Sequence, residues 1–196
     1  MFYLSQIERN LKMPPHLLKP SLLDGELEKG IRGELEKLYL DKVITNLGLC
    51  ISVYDIQSFE GGFIFPGDDG CATYKVRCRL VMFQPFVGEV IVGKIESCDE
   101  FGLQASLGFF SDIRIPERFM VQPCHRGEDG IWVWQFKVDN EEFQYSLDID
   151  EEIRFRVASV KYPPTPVEQS ENSKPFSPME ITGYINGDGL GLVSWW

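Results

Sequence analysis

Short strand-like segments separated by glycine-containing turns fill almost everything after Gln84-Pro85-Phe86, and this pattern constrains the fold more than any other feature. The segments are residues 89–97, 102–107, 112–115, 131–138, 153–161 and 179–185. Repeated short strands joined by turns are typical of small barrels and sandwiches. We therefore predict an all-β domain over residues 84–196. Within it, the polar and proline-rich stretch 163–178 predicts a mobile loop.

The first 83 residues combine a helical pattern with an alternating one. Residues 73–83 alternate so that apolar side chains share one face and Lys75, Arg77 and Arg79 lie on the other. Before them, an apolar stripe has the spacing of a helix with one buried face, at Leu23, Leu27, Ile31, Leu35 and Leu38. Ser21 with Asp24 is a candidate N-cap for this helix. We predict an α+β domain over residues 1–83.

Charge is distributed unevenly between the two halves. The net charge is −11, and residues 1–80 carry 10 Lys/Arg against 11 Asp/Glu. Residues 81–196 carry 9 Lys/Arg against 19 Asp/Glu, which gives −10 for the second half. Long-range attraction of nucleic acid to that half is unfavourable, so any binding there must use a local patch or a larger assembly.

The sequence offers no pattern for catalysis, a metal or a cofactor. Only His16 and His125 could act as imidazole bases, and the glycines of residues 187–191 do not precede a helix. Five cysteines without a CxxC pair favour reduced thiols and an intracellular compartment. No apolar run is long enough for a membrane span, and the first residues lack the pattern of a signal peptide.

Residues 93–120 carry the clearest candidate for nucleic-acid binding. A strand, a turn with the pair Phe101-Gly102 and two further strands are typical of the front of an OB barrel. Such barrels stack bases on outward aromatic side chains and contact phosphates through Lys or Arg. We predict that Lys94, Phe101 and Arg114 contact RNA. The alternative is a barrel that binds only protein.

This stretch resembles the OB domains of the ribosomal S-one type, with two departures. The chain has Gln104 where that family often has a second aromatic residue, and Ile115-Pro116 where a histidine commonly follows. Because two stacking or hydrogen-bonding groups are missing, we expect only weak RNA binding by the isolated chain.

Two other groups of side chains have more than one interpretation. Lys75, Arg77 and Arg79 form a basic face that could meet phosphate or an acidic protein, or could simply be solvated. Trp132, Trp134 and Phe136 alternate along one predicted strand, which favours a core or subunit-interface role over base stacking.

Motifs along almost the whole chain resemble one family, the larger stalk subunits of DNA-directed RNA polymerases. They are MFYLSQIERNLKMPP, KVITNLGLCISVYDI, FPGDDG, FQPFVGEVIVGKI, SLGFFSDIRIP, EEIRFRV and GLGLVSWW. This family includes the stalk subunit of RNA polymerase II and the corresponding stalk subunit of the archaeal polymerase. SLGFF and the final SWW indicate the RNA polymerase III branch, and the alternative is the stalk subunit of a paralogous nuclear polymerase.

The resemblance implies a fold, partners and a function. It implies an N-terminal tip domain of truncated RNP-like fold, an S-one-type OB barrel, and a heterodimer with the smaller, helical stalk subunit. Polymerase-core docking would involve Pro14, Pro15, Phe65, Pro66 and Gly67. The chain would be a non-catalytic nuclear subunit that supports transcription initiation and contacts nascent RNA weakly. The rival interpretations are a free RNA-binding protein of translation or decay, and an RNA hydrolase with a barrel as substrate clamp.

Overall fold

The computed structural model describes residues 1–18, 24–67, 69–138, 141–164 and 176–196. These residues form two compact units, Met1–Gln84 and Pro85–Trp196. The candidate N-cap at Ser21, the stripe residue Leu23 and most of the predicted loop 163–178 lie outside the described residues. No helix in the described part of the chain is long and apolar enough to cross a bilayer.

The first unit is an antiparallel sheet with one helix. Its elements are β1 (Phe2–Met13), a 3-10 turn (Pro15–Leu17), α1 (Asp24–Tyr39), β2 (Val43–Ile44), β3 (Gly48–Ile64) and β4 (Ala72–Phe83). The sheet order is β1-β4-β3-β2. Strand β1 extends over twelve residues to Met13, and each of them pairs with a residue of β4. The main-chain hydrogen bonds to β4 keep the strand extended through residues 8–10, where polar side chains interrupt the apolar alternation.

Helix α1 covers one face of this sheet and forms the core of the first unit. Ile31 and Leu35 of the predicted stripe are fully buried against Val76, Cys78 and Leu80. Burial of each large aliphatic side chain stabilises the fold by about 1.5–3 kcal/mol. The core also holds Cys50, whose pKa is raised to about 11, chiefly by desolvation. All five cysteines are free thiols.

The second unit consists of strands with two further 3-10 turns. The strands are β5 (Val90–Asp99), β6 (Gly102–Ser106), β7 (Ile113–Pro116), β8 (Cys124–Arg126), β9 (Trp132–Val138), β10 (Glu141–Leu147), β11 (Glu152–Lys161), β12 (Glu180–Tyr184) and β13 (Gly191–Leu192). The 3-10 turns are Glu117–Phe119 and Val193–Trp195.

Five of these strands close into a barrel. Their order is β12-β7-β6-β5-β11, and β12 closes the ring by pairing with both β7 and β11. The interior is filled by Ile95, Leu103, Ile113, Ile115 and Phe155, each at most 1% exposed. The chain is therefore mostly β, with a small helical part and one closed five-stranded barrel.

Strands β8, β9 and β10 form a separate three-stranded sheet, in the order β10-β9-β8. Of these three strands we predicted only β9, and no strand at β8 or β10. The described side chains from Glu142 to Ser146 are all exposed, so β10 lacks the alternation that marks a half-buried strand. The glycine-rich run of residues 187–191 continues into β13, which pairs with β11.

Candidate functional site

The barrel places two of the predicted RNA-contacting residues on one outer face. Lys94 of β5 lies opposite Ser106 of β6, and Arg114 of β7 lies opposite Gln104, two residues away along the same strand. Phe101 occupies the turn before β6, where its side chain is 61% exposed. Its backbone N–H donates to the carboxylate of Asp99 at 2.9 Å, which fixes the turn. The face thus carries two cations, and the exposed ring lies in the turn at the end of β5 and β6.

Carboxylates surround both cations of this face. Arg114 donates to Asp99 Oδ2 at 2.9 Å. Lys94 lies opposite Glu152 of β11 and borders an open cavity of about 500 Å³ that Glu96 and Asp150 also line. Two cations therefore share this face with four carboxylates, which repel a phosphate group.

The two departures from the S-one pattern have structural roles of their own. Gln104 donates to the backbone carbonyl of Ser111 at 3.3 Å. Ile115 is fully buried in the barrel and cannot contact a ligand on the outer face.

The predicted basic face is balanced by acidic residues of the neighbouring strands. Glu8 of β1 accepts from Lys75 at 2.7 Å and from Arg77 at 2.9 Å. These two hydrogen bonds lower the pKa of Glu8. Glu8 thus neutralises part of the charge that made this face a candidate for phosphate binding.

Arg79 is engaged by two side chains of β3. Its guanidinium donates to both carboxylate oxygens of Asp55 and lies over the ring of Tyr54, 5.0 Å from the centroid. The hydrogen bonds from Arg79 lower the pKa of Asp55. These contacts hold Arg79 against the sheet.

The two segments predicted to dock on a polymerase core meet at one end of the first unit. Met13 and Ile64, which precede the two loops, both pair with Ala72. Pro15 also lies close to Gly70, because a Cβ built on Gly70 would be 3.4 Å from its Cγ atom. The structure therefore brings Pro14 and Pro15 together with Phe65, Pro66 and Gly67.

This end of the sheet also carries two exposed apolar residues, Phe63 and Ile64, that were not among the predicted docking residues. Phe63 is 67% exposed, and Ile64 and Phe65 are similarly open. Phe63 and Ile64 directly precede Phe65, which was predicted to dock, so the apolar run Phe63–Phe65 carried the signal. Three consecutive exposed apolar residues are unusual for a solvated loop and mark an interaction surface.

A second aromatic group was only partly foreseen. Trp132 is buried, and its Nε1 donates to Asp99 O at 3.0 Å. Trp134 and Phe136 instead line an open pocket of about 460 Å³ with Tyr145, Trp195 and Trp196. We predicted that Trp134 and Phe136 lie in a core or an interface. No local sequence pattern indicates that the C-terminal tryptophans lie beside them.

Within the described residues, no group of three or more His, Cys, Asp or Glu side chains is arranged to hold a metal ion.

Comparison with known proteins matches both units of the chain. The family model described as RNA polymerase III subunit Rpc25 matches residues 89–196. The model of the SHS2 domain found in the N terminus of Rpb7p, Rpc25p and MJ0397 matches residues 8–70.

Individual relatives cover the whole chain. DNA-directed RNA polymerase III subunit RPC8 of Bos taurus is 37% identical over 207 residues, which span 100% of this chain and 98% of the relative. The Schizosaccharomyces pombe subunit of that name is 34% identical over the full length of both chains. RNA polymerase II subunit RPB7 of Saccharomyces cerevisiae is 31% identical, over 55% of this chain and 61% of its own. The chain belongs to the Rpc25 (RPC8) family of RNA polymerase III subunits, which is related to Rpb7 and its archaeal counterpart.

Proposed function

We propose that this chain is a non-catalytic stalk subunit of DNA-directed RNA polymerase III that acts in the nucleus. The observation that carries the proposal is similarity over the entire chain to relatives named as subunit RPC8 of that polymerase. RNA polymerase II subunit RPB7 matches only about half of the chain, which favours the polymerase III branch over its paralogue. We assign the catalytic site of the enzyme to another subunit.

The fold is proposed in finer detail on the same basis. Residues 1–83 form the tip domain, of truncated RNP-like fold, and residues 84–196 form an OB barrel of the S-one type. The single helix on a four-stranded sheet and the closed five-stranded barrel support these assignments.

The tip docks on the polymerase core through the loop at Pro14-Pro15 and the turn at Phe65-Pro66-Gly67. Support comes from their proximity and from the exposed Phe63 and Ile64 beside them. The 3-10 turn after Pro14 is short and begins with proline, so little conformational entropy is lost when it binds.

Docking can be tested by affinity purification of the tagged full-length chain from its own cells. We expect Phe63→Ser with Phe65→Ser to lose the largest polymerase III subunit but to keep the smaller, helical stalk subunit. Phe86→Ser, which changes another exposed phenylalanine outside the tip, is the control and should keep both. If the double variant recovers the polymerase core as efficiently as the native chain, the tip assignment is wrong.

The barrel contacts nascent RNA weakly while the polymerase initiates transcription, with Lys94, Phe101 and Arg114 at the contact. The exposed ring of Phe101 supports base stacking, and the surrounding carboxylates explain why the contact needs RNA delivered by the polymerase. Alanine at all three positions should reduce crosslinking of nascent RNA to this subunit in the assembled enzyme. Alanine at Lys75 and Arg77 is the control and should leave the crosslinking unchanged. Unchanged crosslinking in the triple variant would mean that RNA leaves the enzyme by another path.

A further inference from the structure

We propose that the pocket formed by Trp134, Phe136, Tyr145, Trp195 and Trp196 binds an arginine side chain of an extended peptide from a partner protein. We call it the aromatic pocket. None of its residues is among those assigned above to polymerase docking or to RNA contact. The site is therefore additional to the proposed function.

Two separate segments build the aromatic pocket. Strands β9 and β10 supply Trp134 and Tyr145, whose ring centroids are 5.6 Å apart in a stacked arrangement. The C-terminal segment supplies Trp195, whose ring centroid lies 5.0 Å from that of Trp134 and 6.1 Å from that of Tyr145. Rings at these separations hold one another in place, so the pocket is formed before a ligand arrives.

The backbone of the C-terminal segment is adapted to this arrangement. A Cβ on Gly191 would lie 2.2 Å from Cζ3 of Trp195, so only glycine lets the indole lie against the chain there. The Nε1 atom of Trp196 donates to Leu190 O at 3.1 Å and fixes the last residue. These two contacts hold both C-terminal indoles in defined positions at the pocket.

The walls of the aromatic pocket remain accessible. Phe136 is 43% exposed, Tyr145 is 41% exposed and Trp196 is 69% exposed. Nε1 of Trp134 is buried and has no hydrogen-bond acceptor within the described residues. The exposed parts of Phe136, Tyr145 and Trp196, and not this buried N–H, are therefore the surfaces that a ligand can contact.

Charge selects a cation as the ligand. The described lining residues include the carboxylate of Asp188 and no Lys, Arg or His. Arg154 approaches the same turn, but it donates to Gly189 O at 3.2 Å. Residues 81–196 carry a net charge of −10, which adds long-range attraction for a basic segment.

Arginine fits these walls better than other cations or a nucleobase. A guanidinium stacks flat on aromatic rings while its edge donates two parallel hydrogen bonds to a carboxylate, and a lysine ammonium lacks that planar fork. A base could stack on the same rings, but the adjoining phosphate would meet Asp188 and no cation of the pocket wall. The rings and the carboxylate together favour a basic peptide over RNA.

Nuclear magnetic resonance of the indole N–H groups tests the site on the full-length chain. The probe is the peptide acetyl-Gly-Ser-Arg-Gly-Arg-Ser-Gly-amide. The control peptide has neutral citrulline in place of both arginines. We expect saturable shifts of the Trp134, Trp195 and Trp196 signals with the arginine peptide and much smaller ones with citrulline. The Trp132 signal should not move, because that indole is buried and bonded to Asp99.

Variants separate the two parts of the recognition. Asp188→Asn should weaken arginine-peptide binding roughly two- to fivefold by removing the ion pair. Trp196→Leu should weaken it by a similar factor, because it removes one ring and keeps an apolar side chain. Asp150→Asn removes a carboxylate outside the pocket and should leave the affinity unchanged.

Three results would overturn the proposal. Equal shifts with the arginine and citrulline peptides would mean that the pocket has no preference for a cation. Shifts with oligouridylate but not with the arginine peptide would identify a nucleic-acid site. No shift at millimolar peptide, with a native spectrum, would mean that the rings only stabilise the fold.

Discussion

Gly102 occupies the first position of β6 with a φ of +144°, directly after the exposed ring of Phe101. A Cβ there would lie 2.2 Å from the carbonyl oxygen of Ile115, which is far inside van der Waals contact. Both the backbone angle and the close approach of β7 therefore require glycine. The Phe-Gly pair that suggested an RNA contact thus also lets β6 pair closely with β7.

We predict that Gly102→Ala destabilises the second unit by at least about 3 kcal/mol, because β6 and β7 must separate. The matched control is Gly108→Ala, where φ is +84° but no atom lies within 4 Å of the added Cβ. That variant should cost only about 1–2 kcal/mol, the ordinary penalty for a left-handed alanine. Urea unfolding of both variants measures the difference in their free energies of unfolding. Equal losses of stability would mean that β7 can move away from the added Cβ at little cost.

The carboxyls of Glu8 and Asp55 make the first unit sensitive to acid. Their folded pKa values are lowered by hydrogen bonds from Lys75, Arg77 and Arg79. A lowered folded pKa means that the stabilisation is present above the unfolded pKa, near pH 4, and is lost as pH falls through the folded value. The basic face is thus a set of ion pairs that holds β1 and β3 to β4.

We expect Glu8→Gln with Asp55→Asn to lower the thermal midpoint at pH 7 and to flatten its fall between pH 5 and about pH 3. The native and variant midpoints should converge at the acid end. Glu26→Gln with Glu28→Gln removes two exposed carboxylates of α1 and serves as the control. Parallel pH profiles for the native chain and the first variant would contradict the assignment.

At the scale of elements, α1 is a helix stabilised by its packing despite its own composition. It contains three glycines in sixteen residues, and each lowers helix propensity by about 1 kcal/mol relative to alanine. The buried face of Ile31 and Leu35 offsets this cost through contact with the sheet.

Gly33→Ala should therefore stabilise the first unit by about 0.5–1 kcal/mol, because an added Cβ meets nothing within 4 Å. Gly30→Ala is the comparison. Its added Cβ would lie 3.3 Å from Cε of Met13, so this variant should gain less stability than Gly33→Ala. Hydrogen exchange of the α1 amides measures both. A destabilised Gly33→Ala variant would indicate that this face of α1 has a further contact.

The strands also show where sequence patterns work and where they fail. β4 was predicted almost to the residue, because one of its faces is buried and the other is charged. β10 was missed because its side chains from Glu142 to Ser146 are exposed on both faces, and no local pattern records its pairing with β9.

At the scale of the whole molecule, the two units have different means of protecting their strand edges. The barrel closes on itself, so its five strands have no open edge. The four-stranded sheet leaves the twelve-residue strand β1 at its edge and exposes Phe63–Phe65 at one end. Such features promote self-association when a partner is missing.

We therefore expect a fragment of residues 85–196 to fold as a monomer, with well-dispersed amide signals. A fragment of residues 1–84 should self-associate, and Phe63→Ser with Phe65→Ser should reduce that association. Light scattering after size exclusion distinguishes these outcomes. A disordered 85–196 fragment would contradict the division of the chain into independent domains.

The sequence by itself determined the all-β second half, the mixed first half and the family, because strand alternation, helical spacing and linear motifs are local properties. It also indicated two loops as candidates for polymerase docking and three residues as candidates for RNA contact. Only the tertiary structure decided what surrounds them. Glu8 and Asp55 reach the basic face through strand pairing, and Glu152 reaches Lys94 through barrel closure. Trp195 meets Trp134 from sixty-one residues away. Such contacts depend on which strands become neighbours, and that is fixed by the packing of the whole unit.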